Sequence, residues 1–151
     1  MKKIALFSLL AVFMLSANLF AQNRGMPQPP APSPILKLTV EEYKANLDKI
    51  YVVMFTAVGC QPCRKAKLEL LPELFEIFSK GKYQGKVGVY TVDITKGFSA
   101  DAPYEWKDGV TAMPTFRVLY NKADLYTSTG FSLDKKENLK KSILEAVDSK
   151  L

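Results

Sequence analysis

Residues 58–65 read Val58-Gly59-Cys60-Gln61-Pro62-Cys63-Arg64-Lys65, and the fold turns on what flanks them. Cys60 and Cys63 are the only cysteines in 151 residues. On the N-terminal side, Tyr51-Val52-Val53-Met54-Phe55-Thr56 is an unbroken β-branched and aromatic run, the pattern of a strand buried on both faces. On the C-terminal side the period becomes helical. Leu68, Leu71, Phe75 and Phe78 form one stripe, which Leu70, Leu74 and Ile77 widen. Pro62 suits the first turn of that helix, where its missing N–H has no partner to lose. Pro72 predicts a kink near Leu68, because it removes a backbone donor from the helix interior. The cysteine pair therefore sits where a buried strand passes into a helix.

Two cysteines three positions apart can hold a metal, staple the chain or exchange electrons. Structural zinc takes about four Cys, His or carboxylate ligands. This chain has no histidine and no third cysteine, so a zinc site would need carboxylates or a second subunit. A staple closing so short a loop restricts the unfolded chain only weakly. Redox chemistry gains from the placement. A cysteine at a helix N-terminus faces unpaired N–H groups and the positive dipole end, which favour thiolate over thiol. The thiolate is the attacking species, and this setting lowers a thiol below its free pKa of about 8.5. Cys60 fits the attacking role. Cys63, one turn further in, fits the role of resolving a mixed disulfide. Arg64, Lys65 and Lys67 either stabilise that thiolate or form a solvated basic face. The lack of histidine also excludes His-based acid–base and nucleophilic catalysis.

Outward from this junction the pattern alternates. Ile35 to Leu38 is a short apolar run, followed by Thr39 as a helix N-cap with Glu42 at the capping-box spacing. Lys86 to Val92 reads as a second buried strand, and Asp101 to Asp108 as a short helix ended by Gly109. Thr115 to Tyr120 and Asp124 to Thr129 read as strands joined at Asn121-Lys122. Asp134 is placed to cap a last amphipathic helix bearing Leu139, Ile143, Leu144 and Val147. Parallel βαβ units followed by an antiparallel hairpin predict an α/β fold, a mixed central sheet with helices on both faces.

The first 34 residues are of another kind. Met1-Lys2-Lys3 precedes an apolar stretch from Ile4 to Leu15, and Ala21 precedes Gln22. That is the layout of a secretory signal at 1–21. An uncleaved anchor is the alternative, since the apolar run can be extended to Phe20. Residues 22–34 contain five prolines and read as a semi-rigid linker, so the domain is expected over 35–151. Loss of Lys2 and Lys3 leaves 19 basic residues against 15 acids, a net charge of +4. Without a block of like charges, this argues against nucleic-acid binding. Export would place the cysteines in an oxidising, periplasmic type of compartment.

The strand, the C-x-P-C turn, a helix with proline nine residues after the second cysteine, and Met113-Pro114-Thr115 before a later strand together resemble the thioredoxin superfamily. The resemblance covers the whole of 35–151. It implies a thiol–disulfide oxidoreductase acting as a monomer on protein thiols and disulfides, with Cys60 and Cys63 as its redox pair and no metal or other cofactor. It further implies a cis Pro114 opposite the disulfide. Met113 would offer its backbone to an extended substrate, with Gly59, Gln61 and Pro62 bordering the same groove and Gly130 near it. Four positions depart from the family pattern. Gly59 stands where thioredoxins usually carry tryptophan, and Gln61 where they carry glycine. Met54 replaces the usual buried acid, and Val89 the lysine that pairs with it. A longer segment between Asp93 and Pro114 carries the only tryptophan, Trp106, expected in the core. The proline-containing dipeptide leans toward a reductase, which outside the cytoplasm needs electrons from a membrane or exported donor. An oxidase or isomerase, or a non-catalytic binding or chaperone module on the same fold, are the other readings.

Overall fold

The computed structural model describes residues 35–151; the expected signal at 1–21 and linker at 22–34 lie outside the described residues. In chain order the elements are β1 (Leu36–Lys37), α1 (Val40–Ala45), β2 (Ile50–Thr56), α2 (Gln61–Glu69), α3 (Leu71–Phe78) and β3 (Val87–Asp93). They continue with α4 (Tyr104–Lys107), β4 (Thr115–Tyr120), β5 (Ala123–Thr129) and α5 (Lys136–Asp148).

The five strands form one sheet in the order β1-β3-β2-β4-β5. β1 and β2 run parallel to β3, whereas β4 runs antiparallel to both β2 and β5. The mixed sheet and the helices on both faces are as expected. All seven residues of β2 are buried, which is why the run 51–56 shows no polar alternation. Its even positions Ile50, Val52 and Met54 pack with Cys63 and Ala66 of α2, with Leu71, Leu74 and Phe78 of α3, and with Leu139, Ile143 and Val147 of α5. The odd positions Tyr51, Val53 and Phe55 face Tyr43 of α1 and Trp106 of α4. Trp106 is 2% exposed, a core residue as anticipated.

Three local expectations are corrected. The single kinked helix after Pro62 is two helices that meet at Leu70, the one residue between them (φ −107°, ψ −50°). Pro72 falls in the first turn of α3, so it starts a new helix instead of bending an old one. The break re-aims the stripe: Leu68 is 59% exposed and Phe75 is at the surface, while Leu70, Leu71 and Leu74 are sealed. Asp134 does not cap α5. It sits inside a 3-10 turn closed by Lys135 N donating to Ser132 O at 3.2 Å, and Lys135 precedes the helix without a side-chain cap. The helix expected over 101–108 is confined to Tyr104–Lys107, led in by Pro103. By contrast, Thr39 caps α1 as expected, accepting from Glu42 N at 3.1 Å. The β4–β5 hairpin turns on Asn121 and Lys122, both with positive φ.

Candidate active site

β2 delivers the chain at Thr56 into a short loop, and α2 begins five residues later. Cys60 is the N-cap of α2, with extended backbone (φ −72°, ψ 102°). Its sulfur accepts from the Cys63 backbone N–H at 3.1 Å, the bond that Ser or Asp makes at an ordinary helix start. Pro62 lies in the first turn, where a missing donor costs nothing. The two cysteines are joined as a disulfide, with Cα atoms 5.3 Å apart. They are not equivalent: Cys60 is half-buried, whereas Cys63 is 1% exposed and belongs to the main core cluster. Gln61 and Pro62 are exposed between them. Gly59, immediately before Cys60, has φ of +81°, a left-handed conformation that glycine adopts without strain.

The second half of the site comes from β4. Its antiparallel pairing with β2 ends at Phe55 with Thr115, so Pro114 lies one step beyond, at the end of the sheet where β2 enters the disulfide loop. The Met113–Pro114 peptide is cis. Pro114 is buried, and its carbonyl accepts from Gly130 N at 2.8 Å, which ties Gly130 to the same edge. Met113 is half-buried and packs against both core clusters, including the one that holds Cys60 and Cys63. Thr115, fully buried, donates from its hydroxyl to Ala112 O at 2.7 Å.

Electrically the surroundings are positive. Arg64, Lys65 and Lys67 are exposed on α2, none joins an ion pair among the described residues, and the first turn contains no acid. Met54 and Val89 occupy the core, 0% and 5% exposed. The buried polar and charged residues among those described are Thr56, Thr91, Thr115 and Arg117, so no carboxylate accompanies Cys63 in the interior. Nor do three His, Cys, Asp or Glu side chains meet where they would hold a metal, among the described residues.

The family model described as Thioredoxin matches residues 34–145, most of the chain. The chain belongs to the thioredoxin family. An H-type thioredoxin of Chlamydomonas reinhardtii is 38% identical over 87 residues, covering 58% of this chain and 68% of that protein. A thioredoxin of Malassezia sympodialis superposes with a TM-score of 0.53 at 26% identity, over 75% of this chain and 93% of that one. The thioredoxin NaTrxh of Nicotiana alata gives 0.57 at 22% identity, over 79% and 97%; at that identity the likeness is of fold alone. This thioredoxin is a thiol–disulfide oxidoreductase with a Cys-x-x-Cys pair at Cys60 and Cys63, and thioredoxins act on protein disulfides through such a pair without a separate cofactor.

One buried charge in the sheet and one contact of the site escaped sequence reading. Arg117 stands alone among apolar residues of β4, 4% exposed, donating to Glu105 O and lying 3.5 Å from Asp124. The loop before Cys60 is bonded to the turn after β3: Val58 N donates to Thr95 Oγ1 at 2.7 Å. The triplet Asp93-Ile94-Thr95, an acid two residues before a hydroxyl at a strand end, is a local turn signature that marks the place.

Proposed function

We propose that this thioredoxin is exported and reduces protein disulfides, with Cys60 attacking and Cys63 resolving. The observation that carries the assignment of roles is the difference in access: Cys60 is half-buried at the α2 N-cap, while Cys63 is sealed behind it. In the reduced protein the Cys60 thiolate attacks one sulfur of a substrate disulfide. A new S–S bond forms and the substrate's other sulfur leaves as a thiolate. Cys63 loses its proton and attacks Cys60 Sγ, expelling the second substrate sulfur. Two electrons pass to the substrate, and the Cys60–Cys63 disulfide is left. Backbone N–H groups at the start of α2, that of Cys63 first, stabilise the Cys60 thiolate that enters and leaves this cycle. Met113 and Pro114, beside Gly59, Gln61 and Pro62, border the surface a substrate strand would use.

Export rests on the basic start, the apolar run from Ile4 to Leu15 and Ala21 before Gln22, with residues 22–34 as a spacer. In that setting the disulfide is recharged by two electrons from a membrane or exported donor. The redox test is reduction of insulin disulfides, with equilibration against glutathione, by the reduced protein and by Cys60→Ser. Equal inertness of the two ends the redox reading. A potential near about −270 mV supports the reductase direction, and one near about −120 mV would make it an oxidase. N-terminal sequencing of the protein recovered from its host tests export; an intact Met1 in a cytoplasmic fraction refutes it.

A further inference from the structure

The loop 57–59 leads directly into the reactive Cys60, yet little packing holds it. Val58 is 79% exposed, and the space beside Gly59 is open, with no atom within 4 Å of where a Cβ would lie. Hydrogen bonds to the turn after β3 take the place of packing. Ile94 N donates to Thr56 O at 2.9 Å, and Val58 N donates to Thr95 Oγ1 at 2.7 Å. Within that turn the Thr95 hydroxyl donates to Asp93 Oδ1 at 2.6 Å, and Thr95 N donates to the same oxygen at 2.9 Å. The order of donors matters. A hydroxyl has one hydrogen; with that hydrogen committed to Asp93, its lone pairs are left for Val58. An ionised Asp93 therefore fixes the hydroxyl as an acceptor toward the loop. The two bonds from Thr95, with Lys67 and Lys37 nearby, hold the Asp93 carboxyl below its usual range, which keeps the relay in this sense at neutral pH.

We propose that Thr95, oriented by Asp93, is a positioning residue for Cys60: it holds Val58 and Gly59 so that the Cys60 sulfur stays against the Cys63 N–H. This rests on the redox reading above and adds a second strand end to the site. The relay crosses from β3 to β2 at the level of their last pair, Thr56 with Asp93, four residues before Cys60 caps α2.

The test uses the full chain with Thr95→Val, Thr95→Ser and Asp93→Ala. Three quantities are read: hydrogen exchange at the Val58 amide, the pH midpoint of Cys60 alkylation in the reduced protein, and kcat/KM for insulin reduction. Thr95→Val is expected to speed Val58 exchange about tenfold, the loss of one ordinary hydrogen bond, and to lower kcat/KM by a comparable factor. The alkylation midpoint should rise, because the thiolate is no longer held against its donor. Asp93→Ala should move all three in the same direction, and Thr95→Ser should leave them within about twofold, since it retains the hydroxyl. Unchanged Val58 exchange in Thr95→Val overturns the relay. Faster exchange with an unchanged midpoint and turnover overturns the positioning role. Should the wild type reduce no disulfide at all, the redox reading falls, while the exchange and alkylation measurements still decide whether Thr95 positions Cys60.

Discussion

Met54→Asp puts back the carboxyl that most thioredoxins bury near their second cysteine, and its consequences can be worked out from the surroundings of residue 54. Met54 is fully buried in β2, paired with Thr91 of β3 and Phe116 of β4, in the cluster that contains Cys63. Truncating a buried methionine costs about 2–5 kcal/mol. Burying an unpaired neutral carboxyl adds about 1–3 kcal/mol, since the interior around it has no charged partner of its own. The sum, on the order of 5 kcal/mol, is comparable with the whole stability of many domains. Ionisation then makes matters worse with rising pH. Desolvation lifts the folded-state pKa of the new carboxyl above its unfolded value of about 3.9. The unfolded chain loses the proton first, so below the unfolded pKa there is no added penalty. Above it, stability falls by about 1.4 kcal/mol per pH unit until the folded pKa is reached. Guanidinium unfolding of wild type and variant at pH 5, 6 and 7 measures the difference directly. A cost that is the same at all three pH values, or smaller than about 1 kcal/mol at pH 5, would mean that the carboxyl is solvated. The dry, packed interior beside Cys63 would then be wrong. Wherever it remains folded, the same variant should release mixed disulfides faster once the pH exceeds the folded-state pKa of the new carboxyl, because only then can its carboxylate take the Cys63 proton.

Three further outcomes follow from individual contacts. In the wild type, the Cys63 resolving step should rise about tenfold per pH unit between pH 6 and 8, since only thiolate attacks and no buried acid assists; stopped-flow trapping of the mixed disulfide measures it. Glu73 accepts from Lys136 at 2.6 Å and Lys140 at 2.8 Å, joining α3 to α5. Those hydrogen bonds, Lys136 first, hold its carboxyl below the usual range, so their contribution is present above the ordinary glutamate pKa and disappears as pH falls through the lowered one. Because Glu73 is 41% exposed, Glu73→Gln should cost at most about 1 kcal/mol at pH 7, and less in high salt, by chemical denaturation. Gly59→Ala meets no atom but forces a left-handed backbone, so a melting experiment should find about 1–2 kcal/mol lost, without the larger cost of a clash.

Most of the sheet was legible because its chemistry is local. The unpolar run 51–56, the hairpin residues Asn121 and Lys122 and the Thr39 cap each carry their own instruction, and each is found where it reads. The helices after the disulfide were harder. One hydrophobic stripe from Leu68 to Phe78 fits a continuous helix, but Pro72 has two meanings, a kink in one helix or the first turn of the next. Burial decides between them. Breaking at Leu70 lets Leu70, Leu71 and Leu74 all reach the core, at the expense of leaving Leu68 exposed. That preference is tertiary and leaves no mark in the periodicity. Asp134 misled for a related reason: a good capping residue does not say on which side of a 3-10 turn the helix begins.

At the site, sequence reading found what has unusual composition and missed what has unusual geometry. Two cysteines in 151 residues are conspicuous, as is proline after methionine ahead of a strand. An aspartate and a threonine at a strand end are common, and their link to Val58 crosses 37 positions of chain. Yet the departures noticed in the sequence and the contacts seen in the fold bear on one question. With glycine at 59, the loop before Cys60 has no side chain to bury there; with Val58 pointing outward, it has little packing of any kind. A loop of that description would place a nucleophile poorly unless its backbone were held. The bonds from Ile94 to Thr56 and from Val58 to Thr95 hold it from the β3 side, and the Cys63 N–H to Cys60 sulfur bond holds it from the α2 side. The missing ring at 59 and the Asp93–Thr95 turn are in this view two halves of one arrangement, in which hydrogen bonds across strand ends fix the nucleophile.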